Sequence, residues 1–322
     1  MKAEGDIVYM KGKMSRKDKL FLYSLLPFGG IILALFILLF KTLAENSLPI
    51  FLREGIHFIL SNEWKPSETN PSLEYYGILS PIVGTIYTSL IALIIALPLS
   101  IALTIFINEF LPYNVKDLFI NLVEIMAGLP TVIYGLWGAF VLAPILRDYV
   151  MLPIHRYLWF IPFFSCNPLS PLTIFTAGVI LAIMITPFIT SIIREAYENI
   201  PLTYREAILS LGATSYEYVK IMLSMIKPAV IAAILLGFGR AAGETIAVSM
   251  TIGNSFSLTT CLFAPGYTIS SLIANQFGNA GFYHYMMNAL YGAGLILLLV
   301  GVVLNTIGLY VLGRWRKQFE EF

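Results

Sequence analysis

Pro201-Leu-Thr-Tyr-Arg-Glu206-Ala207-Ile-Leu-Ser-Leu-Gly212-Ala213-Thr214-Ser-Tyr-Glu217 is a polar, helix-forming stretch between two long apolar segments. It lies in the middle of a loop running from about Arg194 to Lys227. Thr203 stands three residues before Glu206, and Thr214 three before Glu217; each pair has the spacing of a capping box. Gly212 falls where a first short helix would end in a left-handed cap. The stretch therefore predicts a helix, a glycine break and a second helix. An ordered hairpin outside the bilayer is useful if another protein docks on it. The same glutamate and glycine also serve simply to shape the hairpin, and the spacing alone leaves both readings open.

Outward from this loop the chain is dominated by apolar runs. Hydrophobic residues make up 58% and charged residues 12%, against about 25% charged in a soluble domain. Six stretches are long enough to cross a bilayer, at roughly 20–41, 80–107, 118–146, 171–193, 226–252 and 286–313, each crossing needing about 20 residues. The runs are continuous rather than alternating, so helices are expected and not barrel strands. The fold class is all-α, a polytopic membrane protein of six transmembrane helices. The net charge of +1, with no basic-aromatic patch, gives no reason to expect nucleic acid.

Lysine and arginine counts set the expected sidedness. With the N-terminus inside, the inner segments hold fourteen and the outer loops four: Arg53, Lys65, Arg147 and Arg156. Both termini and the 194–227 loop are then cytoplasmic. The division is a cytoplasmic segment at 1–19, a membrane domain at 20–313 and a cytoplasmic tail at 314–322. The run from Leu20 to Phe40 exceeds the apolar length of a secretory signal, so it is read as a retained first helix.

The first outer loop, about 42–79, holds an amphipathic piece from Leu48 to Leu60, expected along the membrane surface. The second, about 147–170, is rich in aromatics and expected at the headgroups. The third, about 253–285, is polar and carries no charge beyond His284. Cys166 and Cys261 both fall in outer loops, where a disulfide is permitted. Two isolated cysteines are more often unpaired, so the pairing stays open. Pro98, Gly128, Pro130 and Pro187 interrupt spans, as packed bundles tolerate.

The fifth apolar run carries Arg240 and Glu244. On one helix they share a face. An ion at the bilayer centre costs roughly 2.5–3.5 kcal/mol on insertion scales, so both are expected toward a bundle interior or wet cavity. One reading is mutual neutralisation. The other is that Arg240 lines a path for an anion, whose oxygens match the guanidinium. Glu244 then holds Arg240 and keeps the ion from binding too tightly to leave. Gly237, Gly239 and Gly243 allow close helix packing. Glu124, near the inner end of the third span, is read as a buried structural acid that either snorkels or pairs with a cytoplasmic base.

Enzyme readings fail on chemistry. Gly237-x-Gly239-x-x-Ala242 imitates a dinucleotide fingerprint, which needs a preceding strand and an acid about 20 residues on. From Thr245 to Phe319 there is neither Asp nor Glu. His57, His155 and His284 are scattered, and no phosphate-loop motif occurs. No catalytic residue, metal site or cofactor is expected on this chain, and any ATP hydrolysis must come from a partner.

Glu206-Ala207-Ile208, three residues, then Gly212 resembles the cytoplasmic loop of permease subunits in ABC importers. Ile208 replaces that motif's second alanine, and Leu223-Ser224 stands where Leu-Pro is common. Three further segments narrow the resemblance to the PstC-type permeases of phosphate importers. They are Gly237-Phe-Gly239-Arg240-Ala-Ala-Gly243-Glu244-Thr245 with Ile252-Gly253-Asn254, Ala127 to Gly138, and Ser61-Asn-Glu63-Trp64-Lys-Pro66. The resemblance implies a type I ABC importer permease fold in a prokaryotic cell membrane. It implies three kinds of companion besides the lipid bilayer: a PstA-like second permease, a PstB-like ATPase dimer holding ATP and Mg, and an extracytoplasmic PstS-like phosphate-binding protein delivering substrate. Glu206, Ala207, Gly212, Ala213 and Thr214 would then engage the ATPase, and Arg240 and Glu244 would line the substrate pathway. Another oxyanion such as sulfate or molybdate is the alternative cargo, and an ATPase-independent secondary transporter the rival mechanism.

Overall fold

The structure is a computed structural model that describes residues 16–320. Most of the basic 1–19 segment and the last two residues of the tail lie outside the described residues. The first helix, α1 (Arg16–Glu54), is 39 residues long. At 1.5 Å per residue it measures about 58 Å, well beyond the roughly 30 Å hydrocarbon core. Leu48 to Glu54 are therefore its last turns and not part of a separate surface helix. Ile50 is fully buried there, close to Gly292. Arg53 is satisfied by the backbone carbonyls of Ser72 and Glu74. A short α2 (His57–Leu60) follows, and β1 (Trp64–Lys65) pairs antiparallel with β2 (Tyr75–Tyr76).

The second crossing is α3 (Leu79–Ile105), extended by a π-helical turn at Phe106–Phe110. The third differs from the sequence expectation of 118–146. Helix α4 (Tyr113–Gly128) stops, Leu129 and Pro130 are extended, and α5 (Thr131–Trp137) begins a new rod. Proline pushes the preceding residue out of the helical region, so Pro130 ends one helix and opens the next. The rod continues through α6 (Ala143–Leu146) and α7 (Leu152–Leu158), linked by π-helical turns. The crossing is therefore Thr131–Leu158. Arg147, Tyr149 and Arg156, expected in an outer loop, belong to its outer end.

Helix α8 (Ile174–Glu198) is the most enclosed crossing. The hairpin follows as α9 (Leu202–Ser210) and α10 (Ser215–Met225), then α11 (Lys227–Gly243) and α12 (Ile246–Thr251). The last two helices are α13 (Ile269–Gln276) and α14 (Met286–Glu320). Among the described residues, five helices are long and apolar enough to cross a membrane. A sixth is reached when α10 and α11, bent by 63°, are taken together.

The main core joins α3, α8 and α11 through Ile91, Leu93, Leu181, Ile185, Ile189 and Ala233. Gly84 of α3 lies against the Tyr267 carbonyl, in the space that a Cβ would fill. The long α1 leaves most of its apolar side chains exposed, as expected of a helix sheathed in lipid. A second core on the outer side gathers Ile50, Phe58, Tyr76, Ile78, Leu272 and Met286. Two outer loops are bridged by a disulfide between Cys166 and Cys261, whose Cα atoms are 6.1 Å apart. The open question of these cysteines is thus settled as paired. Cys261 is 3% exposed and packs with Met151 and Phe263, so its surroundings hold it in reach of its partner.

Candidate functional site

The predicted hairpin forms, with one change at its entry. Pro201 precedes α9 and Thr203 lies inside the helix, so no side-chain cap forms there. The fixed φ of Pro201 supplies the start instead of the expected capping box. The second box is present: the Thr214 side chain accepts from the Glu217 N–H, and Glu217 accepts from the Thr214 N–H at 2.9 Å. Gly212 has φ +76°, with nothing within 4 Å of where a Cβ would sit. Its glycine is required by conformation and not by crowding.

The hairpin presents one face outward and anchors the other. Glu206, Ala207, Gly212 and Thr214 are exposed, and Ala213 is half-buried. They share the tip with apolar side chains left in the open, above all Leu211 at 88% and Tyr216 at 75% exposure. Ile208, between them in sequence, is buried with Tyr218, Met222 and Tyr197. A surface that exposes large apolar groups around an acid suits a protein partner.

Polar contacts tie that anchored face to the spans. The Tyr197 hydroxyl donates to Glu109 at 2.7 Å. Arg205 donates to the Tyr197 carbonyl at 2.9 Å, and its guanidinium lies 5.5 Å from the Tyr197 ring centre. Helix α4 is held by ion pairs: Lys116 to Glu198 at 3.1 Å and Glu124 to Arg194 at 3.7 Å. Glu124 is therefore exposed and not buried, and it pairs with a base of the loop that begins at Arg194, one of its expected alternatives. Sequence reading did not single out Glu109 or Tyr197. The signal was an acid at the inner end of an otherwise uncharged span.

The charged segment of the fifth crossing departs from its expected geometry. Helix α11 ends at Gly243, and Glu244 is extended, with φ −68° and ψ 127°. The four-residue spacing therefore does not stack the two side chains. Among the described residues neither makes an ion pair. The Arg240 guanidinium lies 5.0 Å from the Phe188 ring centre, and the residue is exposed. The Glu244 carboxylate instead accepts from the Ala247 N–H at 3.4 Å, at the start of α12. Mutual neutralisation and Glu244 as the holder of Arg240 are both corrected by this break. Gly237 packs against Ile189, and Gly239 faces Asn305; Gly243 has open space around it.

The loop at 253–285, expected as an outer surface loop, dips inward to this break. Ile269 to Leu272 are buried. Ser270 donates to the Glu244 carbonyl at 2.7 Å, and the Ile269 N–H donates to Thr85 at 3.0 Å. The unwound backbone between α11 and α12 is thus satisfied by protein, the condition for irregular chain at membrane depth. On the outer side, Trp64 stacks on Phe256 at 5.2 Å. Glu74 is fully buried, accepting from Tyr76 and from the backbone of His284 and Tyr285.

This arrangement is similar to known proteins along nearly its whole length. A probable phosphate transport system permease protein PstC from Methanocaldococcus jannaschii is 51% identical over 306 residues, 95% of this chain and 97% of that one. The phosphate transport system permease protein PstC of Pasteurella multocida is 37% identical over 86% of each chain. Its counterpart from Xylella fastidiosa is 42% identical over 70% of each. No family model matches the chain. Among solved structures, an inward-facing MetNI methionine ABC transporter chain aligns with 73% of this chain at 19% identity and a TM-score of 0.47.

Proposed function

The chain belongs to the PstC family of phosphate transport permeases, and we infer from that membership how its two sites share the work. It is a multi-pass membrane permease subunit of a phosphate ABC importer. We propose that it works in a prokaryotic cell membrane, beside a second permease, above an ATPase dimer that carries ATP and Mg, and below an extracytoplasmic phosphate-binding protein.

Arg240 meets the phosphate on its way through. The observation that carries this is an exposed guanidinium in the last turn of α11, with an aromatic ring beside it and, among the described residues, no ion pair. A cation there is too costly to leave in lipid, so its open side belongs to an aqueous path shared with the second permease. The Phe188 ring steadies the cation without neutralising it. The guanidinium keeps its full charge and its paired donors for phosphate oxygens. Glu244 shapes the path by capping α12 and fixing the bend.

Glu206, Ala207, Gly212, Ala213 and Thr214 form the contact with the ATPase. Closure of the ATPase pair pushes on the hairpin. The Ile208, Tyr197 and Glu109 contacts carry that push into α8 and α3 as a rigid-body movement. Reconstitution in vesicles tests the division of labour. The subunit with its partners should accumulate labelled phosphate only when ATP is supplied on the hairpin side. Accumulation by this chain alone, without nucleotide, overturns it.

A further inference from the structure

An apolar groove of about 760 Å³ runs along the elbow where α10 leaves α11. Its walls are Ile105 of α3, Val219 and Leu223 of α10, and Ile231 of α11. Lys220 and Lys227 stand at its rim, both exposed. Among the described residues neither lysine makes an ion pair. Glu217, three residues before Lys220 in sequence, has its carboxylate already engaged by the Thr214 N–H and hydroxyl. A second apolar groove of about 650 Å³ shares Ile105 and is lined by Leu103 of α3 and by Phe106 and Phe110 of the π-helical turn that extends it.

We propose that this elbow is a binding site for an anionic phospholipid, with a phosphate headgroup between Lys220 and Lys227 and acyl chain along the Ile105–Ile231 groove. Two features select lipid over a protein segment. Apart from Tyr216, Ser224 and the two lysines the lining is aliphatic, which suits an acyl chain. Both cations line it, Lys220 on α10 and Lys227 at the start of α11, next to the hairpin expected at the cytoplasmic level where anionic headgroups lie. Basic pockets between transmembrane helices on that side bind such headgroups through charge, and apolar contact holds the chain. The site also abuts the hairpin, since Tyr216 lines the same groove. A bound lipid would therefore brace the α10–α11 bend.

The test uses the complete importer, co-purified with its ATPase, in nanodiscs of phosphatidylcholine. The probe is phosphatidylglycerol carrying a photoactivatable group on one acyl chain. Labelling should map to peptides containing residues 101–105 or 219–231. It should fall about tenfold in Lys220→Ala/Lys227→Ala and recover in Lys220→Arg/Lys227→Arg. Phosphatidylcholine with the same reporter should label no more than the alanine variant. This headgroup comparison on the unmodified protein decides the matter even if a variant fails to assemble. Equal labelling by both lipids, or undiminished labelling of a well-assembled alanine variant, overturns the proposal. So does loss of labelling on adding inorganic phosphate, which marks a free-anion site. A cross-link from a photoreactive residue at position 223 to a second protein chain, with no lipid adduct, overturns it as well.

Discussion

Arg240 and Glu244 are four residues apart and serve different partners: the guanidinium lies over Phe188, and the carboxylate caps the Ala247 N–H. The break after Gly243 separates them. Charge cancellation inside the fifth crossing is therefore not how the chain accommodates its arginine. Among the described residues the cation has no ion-pair partner, as the proposed anion path requires.

The proposed role of Glu244 is accordingly one of hydrogen bonding at the start of α12. Glu244→Gln, which keeps an acceptor for Ala247, should leave phosphate uptake near the unmodified level. Glu244→Ala should destabilise the α11–α12 bend by about 0.5–2 kcal/mol, the usual loss for a removed helix cap. Thermal unfolding of the purified complex reads the second effect and labelled uptake the first. A Gln variant that folds and does not transport contradicts the capping role.

Gly212 holds φ +76° in open space, so any side chain there meets backbone strain alone. Gly212→Ala should cost about 1–2 kcal/mol at the hairpin turn. Gly212→Asn should cost less, because asparagine tolerates this conformation. The expected readout is more ATP hydrolysed per phosphate moved in the alanine variant. An unchanged ratio, with the turn shown to be displaced, counts against the hairpin as the coupling element.

The Tyr197 hydroxyl and Glu109 form a half-buried hydrogen bond that links the foot of α8 to the end of α3. A double-mutant cycle with Tyr197→Phe and Glu109→Gln should give a coupling of about 1.5–3 kcal/mol, the range for bonds to a charged group. Additive effects would show that the two residues act separately.

On the outer side, burial raises the Tyr76 hydroxyl above its ordinary pKa, helped by its hydrogen bond to Glu74. The folded state then holds this proton more tightly than the unfolded chain does. Its contribution to stability is full below pH about 10 and is lost as pH climbs beyond that. Unfolding followed between pH 8 and 11 should show that decline, and Tyr76→Phe should flatten it. A decline identical in both proteins rules out Tyr76 as its source.

Much of this fold is written in the apolar runs, because twenty continuous hydrophobic residues have few alternatives to a membrane helix. The hairpin was legible for a similar reason: Thr214, Glu217 and Gly212 act within one or two turns. What escaped depends on contacts distant in sequence. Proline at 130 gave a local warning, yet its consequence moved the third crossing to Thr131–Leu158. The inward dip of the 253–285 loop rests on Ile269 meeting Thr85 and Ser270 meeting Glu244 across the fold. Arg240 was legible as a misplaced charge. Its ring partner was not, since Phe188 lies on another helix. The Cys166–Cys261 bridge likewise joins residues 95 apart.

The most direct measurement is labelled phosphate uptake by vesicles containing the assembled importer with Arg240 or with Arg240→Ala, at matched subunit content. An arginine that meets the anion through charge-assisted bonds predicts a fall of about 10- to 100-fold in the variant, with Arg240→Lys in between. Uptake that is unchanged in the fully assembled Arg240→Ala complex would contradict a phosphate path along this residue.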